Sequence, residues 1–221
     1  MNLVISASRH TSNTTAMRIA GQHIKSARLL DNDTFVVVDN GSPRFIRDVL
    51  NATYRRHNIR YLQNENWSNK DGWEFGAWRW GLQHLNTNNF INTFLLQDSV
   101  TPKKRLPRYR LYAPMCMSFP AWTERCRTQF CWHTRTHECI DLARKSPYMT
   151  SFRTGQIFSG CKGPNVAGNS EWIESLLHQI LDLRVSTKTD EQCTERILGW
   201  YVGQTRIDMN AYFRKEFYGR T

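Results

Sequence analysis

No stretch of this chain is apolar for the ~18 residues that a bilayer-spanning helix needs. The first residues also lack the charged start and long apolar core of a secretory leader. Both absences lead to the expectation of a soluble, cytoplasmic protein. Six cysteines are present, and no two stand in Cys-x-x-Cys spacing. That removes the common dithiol and zinc-ribbon motifs and leaves reduced thiols as the expectation for a cytosolic setting. No repeat and no low-complexity linker divides the chain, so residues 1–221 read as one domain. Glycine is missing from Ser6-Ala7-Ser8-Arg9-His10, directly after the first apolar run. This argues against the Gly-rich phosphate loop expected of a nucleotidyltransferase. Acidic residues are scarce, with 19 Asp and Glu against 30 Lys and Arg, for a formal net charge of +11. The imbalance says little about fold but calls for an anionic partner: a nucleotide, a nucleic acid or an anionic membrane surface.

What is present is a rhythm of short apolar runs and helical stripes. Leu3 to Ser6 reads as a buried strand. A polar cluster from Ser12 then caps a helix from Thr15 to Arg28, with Ala16, Ile19, Ala20, Ile24 and Ala27 at helical spacing. Thr34 to Val38 is β-branched and apolar, the pattern of a strand buried on both faces. Pro43 opens a second helix with Phe45, Ile46, Val49, Leu50 and Tyr54 on one side. A strand at Ile59 to Leu62, a helix at Glu74 to Leu85 and a strand at Phe90 to Leu96 follow. This alternation predicts an α/β fold, a mostly parallel Rossmann-like sheet flanked by helices. After Val100 the pattern loosens. Ala113 to Pro120 and Gln156 to Ser159 read as strands, the latter ending at Gly160-Cys161-Lys162-Gly163-Pro164. Asn169-Ser170 caps a helix through Trp172, Ile173, Leu176 and Leu177.

Two apolar runs deliver a carboxylate to the same sheet edge. Asp39 leads into Asn40-Gly41-Ser42, and Asp98 stands between Gln97 and Ser99. Open α/β sheets bind ligands outside the carboxyl ends of their strands. Asp39 is thus either a nucleotide contact or the turn former before Pro43. Asp98 is either a metal-diphosphate ligand or a turn residue. Asn64, Glu65 and Asn66 form a polar loop at the third strand's end that suits a nucleoside or plain solvent. Phe75 and Trp78, three apart, suit a core-facing stripe, whereas Trp73 precedes the helix and faces a ligand more readily. Lys103 to Arg110 holds five cations and no acid just after the phosphate-type site, with Tyr109 and Tyr112 offering stacking surfaces. Cys126, Cys131, His133, His137 and Cys139 have zinc chemistry but match no usual zinc spacing. His133, His137 or His178 alternatively completes a nucleotide's metal site.

In their order, Asp39-Asn40-Gly41-Ser42, the Asn64-Glu65-Asn66 loop, Phe75-Gly76-Ala77-Trp78 and Asp98-Ser99-Val100 with Pro102 resemble glycosyltransferases of the GT-A type. Over residues 1–102 the chain is similar to bacterial polysaccharide glycosyltransferases of the rhamnan-synthesis kind. The resemblance implies a nucleotide-sugar-binding half, 1–102, and an acceptor half, 103–221. It implies a nucleoside-diphosphate sugar as donor, contacted by Asp39, Asn40, Asn64, Asn66, Trp73, Lys103 and Arg105. It implies Mn²⁺ or Mg²⁺ on Asp98, held weakly because Gln97 stands where an Asp-x-Asp motif has its first acid. It implies an acidic general base at the start of a later helix, Glu171, or Glu174 three residues on. The basic, anchor-free chain places DNA with a hydroxymethylated base (phage-type DNA glycosylation, in a bacterial or host cytoplasm) slightly ahead of a polysaccharide or lipid-linked glycan as acceptor. A non-catalytic nucleic-acid-binding module is the alternative, and it rests on charge alone.

Overall fold

The computed structural model describes residues 1–64, 73–118, 161–179, 197–199, 201–202 and 207–216, and the side chains of these except at positions 73, 118 and 161–164. Strand β1 (Leu3–Ser8) is buried along its whole length, as a doubly covered strand should be. Ser12 caps α1 (Asn13–Leu29), its side chain accepting from the Thr15 N–H, and Ala16, Ile19, Ala20 and His23 turn one stripe inward. β2 (Thr34–Asp39) is followed by α2 (Arg44–Arg56), with Pro43 at its N-cap and Ile46, Leu50 and Tyr54 buried. The stripe is narrower than the sequence suggested. Phe45 and Val49 sit about 100° around the helix from Ile46 and Leu50 and remain exposed.

β3 (Arg60–Gln63), α3 (Trp73–His84), a 3-10 turn at Thr87–Asn89 and β4 (Asn92–Gln97) complete the regular half. The remaining elements are β5 (Val100–Pro102), β6 (Met115–Ser118), β7 (Cys161–Asn169), α4 (Ser170–Gln179), β8 (Ile207–Asp208), a 3-10 turn at Met209–Ala211 and β9 (Phe213–Lys215). The main sheet has the order β3-β2-β1-β4-β7-β6-β8, and β5 pairs with β9 in a separate two-stranded sheet. β3, β2, β1 and β4 are parallel, and β7 runs against both β4 and β6. Gly163 and Pro164, expected from sequence to end the preceding strand, lie inside β7. The β6–β7 register shifts between Cys116 and Ser118, and such an irregularity accommodates a residue that has no N–H to donate. The strand expected at Gln156 to Ser159 and the Cys126–Cys139 cluster lie outside the described residues.

Each face of the sheet carries its own core. Leu3, Ile5, Val36, Val38 and Leu95 meet Phe75, Trp78, Ile173 and Leu176 on one side. Val4, Val37, Phe94 and Leu96 meet Ala16, Ala20, Ile46 and Leu50 on the other. Each fully buried large side chain contributes on the order of 1.5–3 kcal/mol. Trp78 adds a hydrogen bond from its indole N–H to the Leu96 carbonyl, at 3.2 Å. α3 packs closely enough that a Cβ at Gly81 would stand 3.0 Å from Val38 Cγ2. Among the described residues no helix is long and apolar enough to cross a membrane.

The basic segment after β5 crosses the sheet at the amino ends of the parallel strands. Arg105 pairs with Asp31 at 4.0 Å and Arg108 with Asp33 at 3.6 Å, both just before β2. Asn2, before β1, donates to the Pro107 carbonyl. Asn92, opening β4, accepts from the Leu111 N–H and donates to the Tyr109 carbonyl. Asn169, closing β7, donates to the Leu111 carbonyl. The segment is a strap tied to four strands in turn.

Candidate functional site

At the carboxyl ends of the parallel strands lies a cleft of about 690 Å³. It opens where β1 and β4 diverge: the chain leaves β1 toward β2 and β3 on one side and returns to β4 on the other. This is the switch point at which open α/β sheets hold ligands. Its walls come from both halves of the chain. Ser8 ends β1 and Arg9, His10 and Thr11 follow it, Thr15 and Arg18 lie on α1, and Asn40 follows β2. Glu74 is in the first turn of α3, Gln97 ends β4 with Asp98 and Ser99 after it, and Lys215 ends β9 with Glu216 after it. The first turn of α1 carries no acid. Its N–H dipoles therefore add to Arg9 and Arg18 on the α1 side, which favours an anion there, while Glu74, Asp98 and Glu216 lie on the other walls.

The β2 end is held by side chain and backbone together. Asp39 is fully buried, and its Oδ1 accepts the N–H groups of Gly41 at 3.1 Å and Ser42 at 2.8 Å. Gly41 has φ 94°, a conformation that glycine adopts without a side-chain penalty. Asp39 thus shapes the turn and lies behind the cleft wall, and Asn40 is the residue that lines it. Asn64 Nδ2 donates to Asn40 Oδ1 at 2.8 Å, orienting that amide from β3. Asp39 Oδ2 and the Tyr61 hydroxyl are both buried, and the phenol lies close to the carboxylate. Burial, then the nearby Asp39 carboxylate, raises the Tyr61 pKa and keeps the phenol neutral.

His10 is the buried residue of the β1 end. Its Nε2 lies 2.6 Å from Ser8 Oγ, and its N–H donates to Ser42 Oγ at 2.8 Å. Burial lowers its pKa to about 4 against an opposing pull from Asp39, so it is neutral near pH 7. Beneath it, His23 bridges Ser6 Oγ at 3.0 Å and the Tyr54 hydroxyl at 2.7 Å. Burial, with a smaller push from His10, lowers the His23 pKa to about 3.

At the β4 end Gln97 is buried and engaged on three sides. Its N–H donates to Asn165 Oδ1 at 2.7 Å. Its Nε2 donates to Glu74 Oε1 at 2.6 Å, and its Oε1 accepts from Lys215 Nζ at 2.6 Å. Asp98 follows at the cleft. Among the described residues no three His, Cys, Asp or Glu side chains converge as a cation site. Mg²⁺ and Mn²⁺ seek several oxygen ligands; this strand end supplies Asp98 beside an amide already committed to two partners, while Glu74 is engaged with that amide and Glu216 with Arg214. Among the described residues the donor set does not make a divalent-ion site.

Asn40 and Asp98 line the cleft, and Asn64 supports it from behind. Asn66 lies outside the described residues, and for Trp73 only the backbone, at the start of α3, is described. Phe75 and Trp78 are core residues. Lys103 and Arg105 are not in the cleft: Lys103 Nζ donates to the Asn210 carbonyl, and Arg105 is in the strap.

Glu171 and Glu174 do not line it either. β7 is antiparallel to β4, with Asn169 opposite Asn92, so α4 begins at the amino end of β4. Glu171 there is exposed and pairs with Arg110 at 2.7 Å. Sequence reading passed over Arg9, His10, Arg18 and Lys215. Applying the strand-end rule to β1 as well as to β2 and β4 points to Arg9 and His10. Nothing local signals that Lys215 comes to rest against Gln97.

The sequence matches no protein-family model and no curated protein. In three dimensions the chain is similar to an active-site mutant of LgtC, with a TM-score of 0.49 and 12% identity over 89% of this chain and 70% of that one. It is similar to the bifunctional glycosyltransferase WbbM, with a TM-score of 0.47 and 8% identity over 88% of this chain and 37% of that one. It is also similar to residues 1-349 of S. aureus TarS, with a TM-score of 0.47 and 11% identity over 98% of this chain and 60% of that one. All three scores lie below one half, and identities this low transfer no residue role.

Proposed function

We propose that the protein is a glycosyltransferase that takes a sugar from a nucleoside-diphosphate sugar and passes it to a hydroxyl acceptor. The observation that carries this reading is the cleft itself. The switch-point crevice joins Asn40 and Asp98, the two strand-end motifs behind the sequence resemblance, and lines them with Arg9, Arg18, Lys215 and the start of α1. A diphosphate suits that field, and an amide such as Asn40, fixed by Asn64, suits the polar edge of a base or ribose. Asp98 at the strand end suits the sugar hydroxyls, from which a carboxylate accepts hydrogen bonds.

The acceptor is proposed as a glycan-type hydroxyl rather than DNA. The DNA expectation drew on the overall positive charge and the lack of an apolar anchor segment, with the basic 103–110 run as the surface that would serve it. In the structure Arg105, Arg108 and Arg110 each face a carboxylate, at the sheet edge remote from the cleft. Sugar transfer is tested by incubating the protein with UDP-, GDP- and dTDP-glucose, with oligosaccharides or hydroxymethylated DNA as acceptors, and following release of nucleoside diphosphate. Acceptor-stimulated release with oligosaccharide supports the proposal. Stimulation by DNA alone would reverse the choice of acceptor, and no release with any pair counts against sugar transfer from these donors.

A further inference from the structure

β4 ends in Gln97, an uncharged residue held more firmly than a solvent-facing amide needs to be. Asn165 holds its backbone, Glu74 accepts from its Nε2, and Lys215 donates to its Oε1. Lys215 arrives on β9, whose register sets it opposite Val100, two residues beyond Asp98. The Glu216 N–H donates to the Ser99 carbonyl at 2.8 Å and fastens the same corner. The half-buried ammonium is thus carried to the strand end by a paired strand. Arg9 and Arg18 line the same cleft. Three carboxylates, Glu74, Asp98 and Glu216, line it as well; Glu216 is paired with Arg214, outside the cleft lining, and Glu74 accepts from Gln97. The described residues offer no group of three metal-ligating side chains. Ammonium and guanidinium groups bind phosphate oxygens directly.

We infer that, on the transfer reading proposed above, the donor's diphosphate is held and its leaving charge met by fixed cations, Lys215 with Arg9 and Arg18, in the place of a divalent ion on the β4 end. In the transfer, the bond between the sugar's anomeric carbon and the β-phosphate oxygen breaks, and its electron pair stays with that oxygen. The acceptor oxygen forms the new bond to the anomeric carbon, and its proton passes to solvent. The nucleoside diphosphate therefore departs with one further negative charge. A cation already in place stabilises that charge without reorganising at the moment of reaction. Gln97, itself fixed by Glu74 and Asn165, holds Lys215 in that place.

The test is calorimetric titration of the full chain with UDP, GDP and dTDP, once in excess EDTA and once in MnCl₂, with Lys215→Met and Lys215→Arg alongside. One nucleoside diphosphate is expected to bind in EDTA, with an affinity that Mn²⁺ leaves unchanged. Lys215→Met is expected to weaken it about tenfold or more, the size of a charge-assisted hydrogen bond, and Lys215→Arg to recover most of the loss. Binding that disappears in EDTA and returns with Mn²⁺ would overturn the inference while leaving the transfer reading standing, as would wild-type affinity in Lys215→Met. No binding of any diphosphate in either condition would sink both. The EDTA comparison uses the unaltered protein and decides the matter even if Lys215→Met fails to fold.

Discussion

Asp39 Oδ1 accepts two backbone N–H groups, and Gly41 beside it sits at φ 94°. Asp39→Ala leaves two donors of the β2–α2 turn without an acceptor, and equilibrium urea unfolding should show a loss of about 2 kcal/mol or more. Gly41→Ala forces a Cβ into a left-handed conformation and should cost roughly 1–2 kcal/mol in the same assay. Asp98 is different in kind, since it lines the cleft. Asp98→Ala should weaken sugar-nucleotide binding by more than it shifts the urea midpoint. If the losses were exchanged, with Asp39→Ala stable but unable to bind, the roles assigned to the two carboxylates would be wrong. Glu171 stands at the far sheet edge in an exposed ion pair with Arg110. Glu171→Gln should leave turnover unchanged and cost under about 1 kcal/mol, as surface pairs do. A drop in turnover at unchanged donor affinity would instead return it to the role of base.

Two buried polar networks tie elements together, and each makes its own prediction. Asn92 joins the strap to the sheet through the Leu111 N–H and the Tyr109 carbonyl, and it also donates to Asn2 Oδ1 at 2.9 Å. Asn92→Ala strands these groups and should lower the unfolding free energy by on the order of 2–3 kcal/mol. His23 ties β1 to α1 and α2, and both His23 and His10 are buried in the neutral form, with pKa values near 3 and 4 against 6.5 when unfolded. Between those values the unfolded chain binds more protons than the native one. Their contribution is therefore complete above pH 6.5 and is lost as pH falls toward 4 for His10 and toward 3 for His23. The slope approaches about 1.4 kcal/mol per pH unit for each histidine. Urea midpoints at pH 7, 6 and 5 should fall in that order, and His23→Gln should flatten the fall. A midpoint independent of pH across this window would show that the two histidines are not held neutral.

Over the whole molecule, the first half of the fold was legible because its signals are local. A β-branched run announces β2 and the apolar Phe94-Leu95-Leu96 run announces β4, and Ala16, Ile19, Ala20 and Ile46, Leu50, Tyr54 keep the helical period. The strand-end rule then finds Asn40 and Asp98. The remainder depends on directions and distances that no local pattern carries. The sequence of β7 does not say that it runs against β4, and that single direction moves Glu171 from the cleft to the opposite edge. Lys215 and Gln97 lie 118 residues apart and meet through three-residue strands too short to show a period. The +11 charge suggested one broad anionic surface. Among the described residues, Arg105, Arg108 and Arg110 face carboxylates in the strap, while Arg9, Arg18 and Lys215 line the cleft together with Glu74, Asp98 and Glu216.

That cleft is the central claim, and thermal unfolding with UDP-, GDP- and dTDP-sugars tests it most directly, on the wild type and on Arg18→Glu. Arg18 is exposed on α1, so its charge reversal should spare the fold while opposing a diphosphate. For one nucleotide class the account predicts stabilisation of the wild type by about 2.7 kcal/mol at a hundred times Kd. That corresponds to a rise of roughly 5–10 °C at this chain length. The rise should be largely lost in Arg18→Glu. No rise with any sugar nucleotide, or an equal rise in the variant, would contradict it.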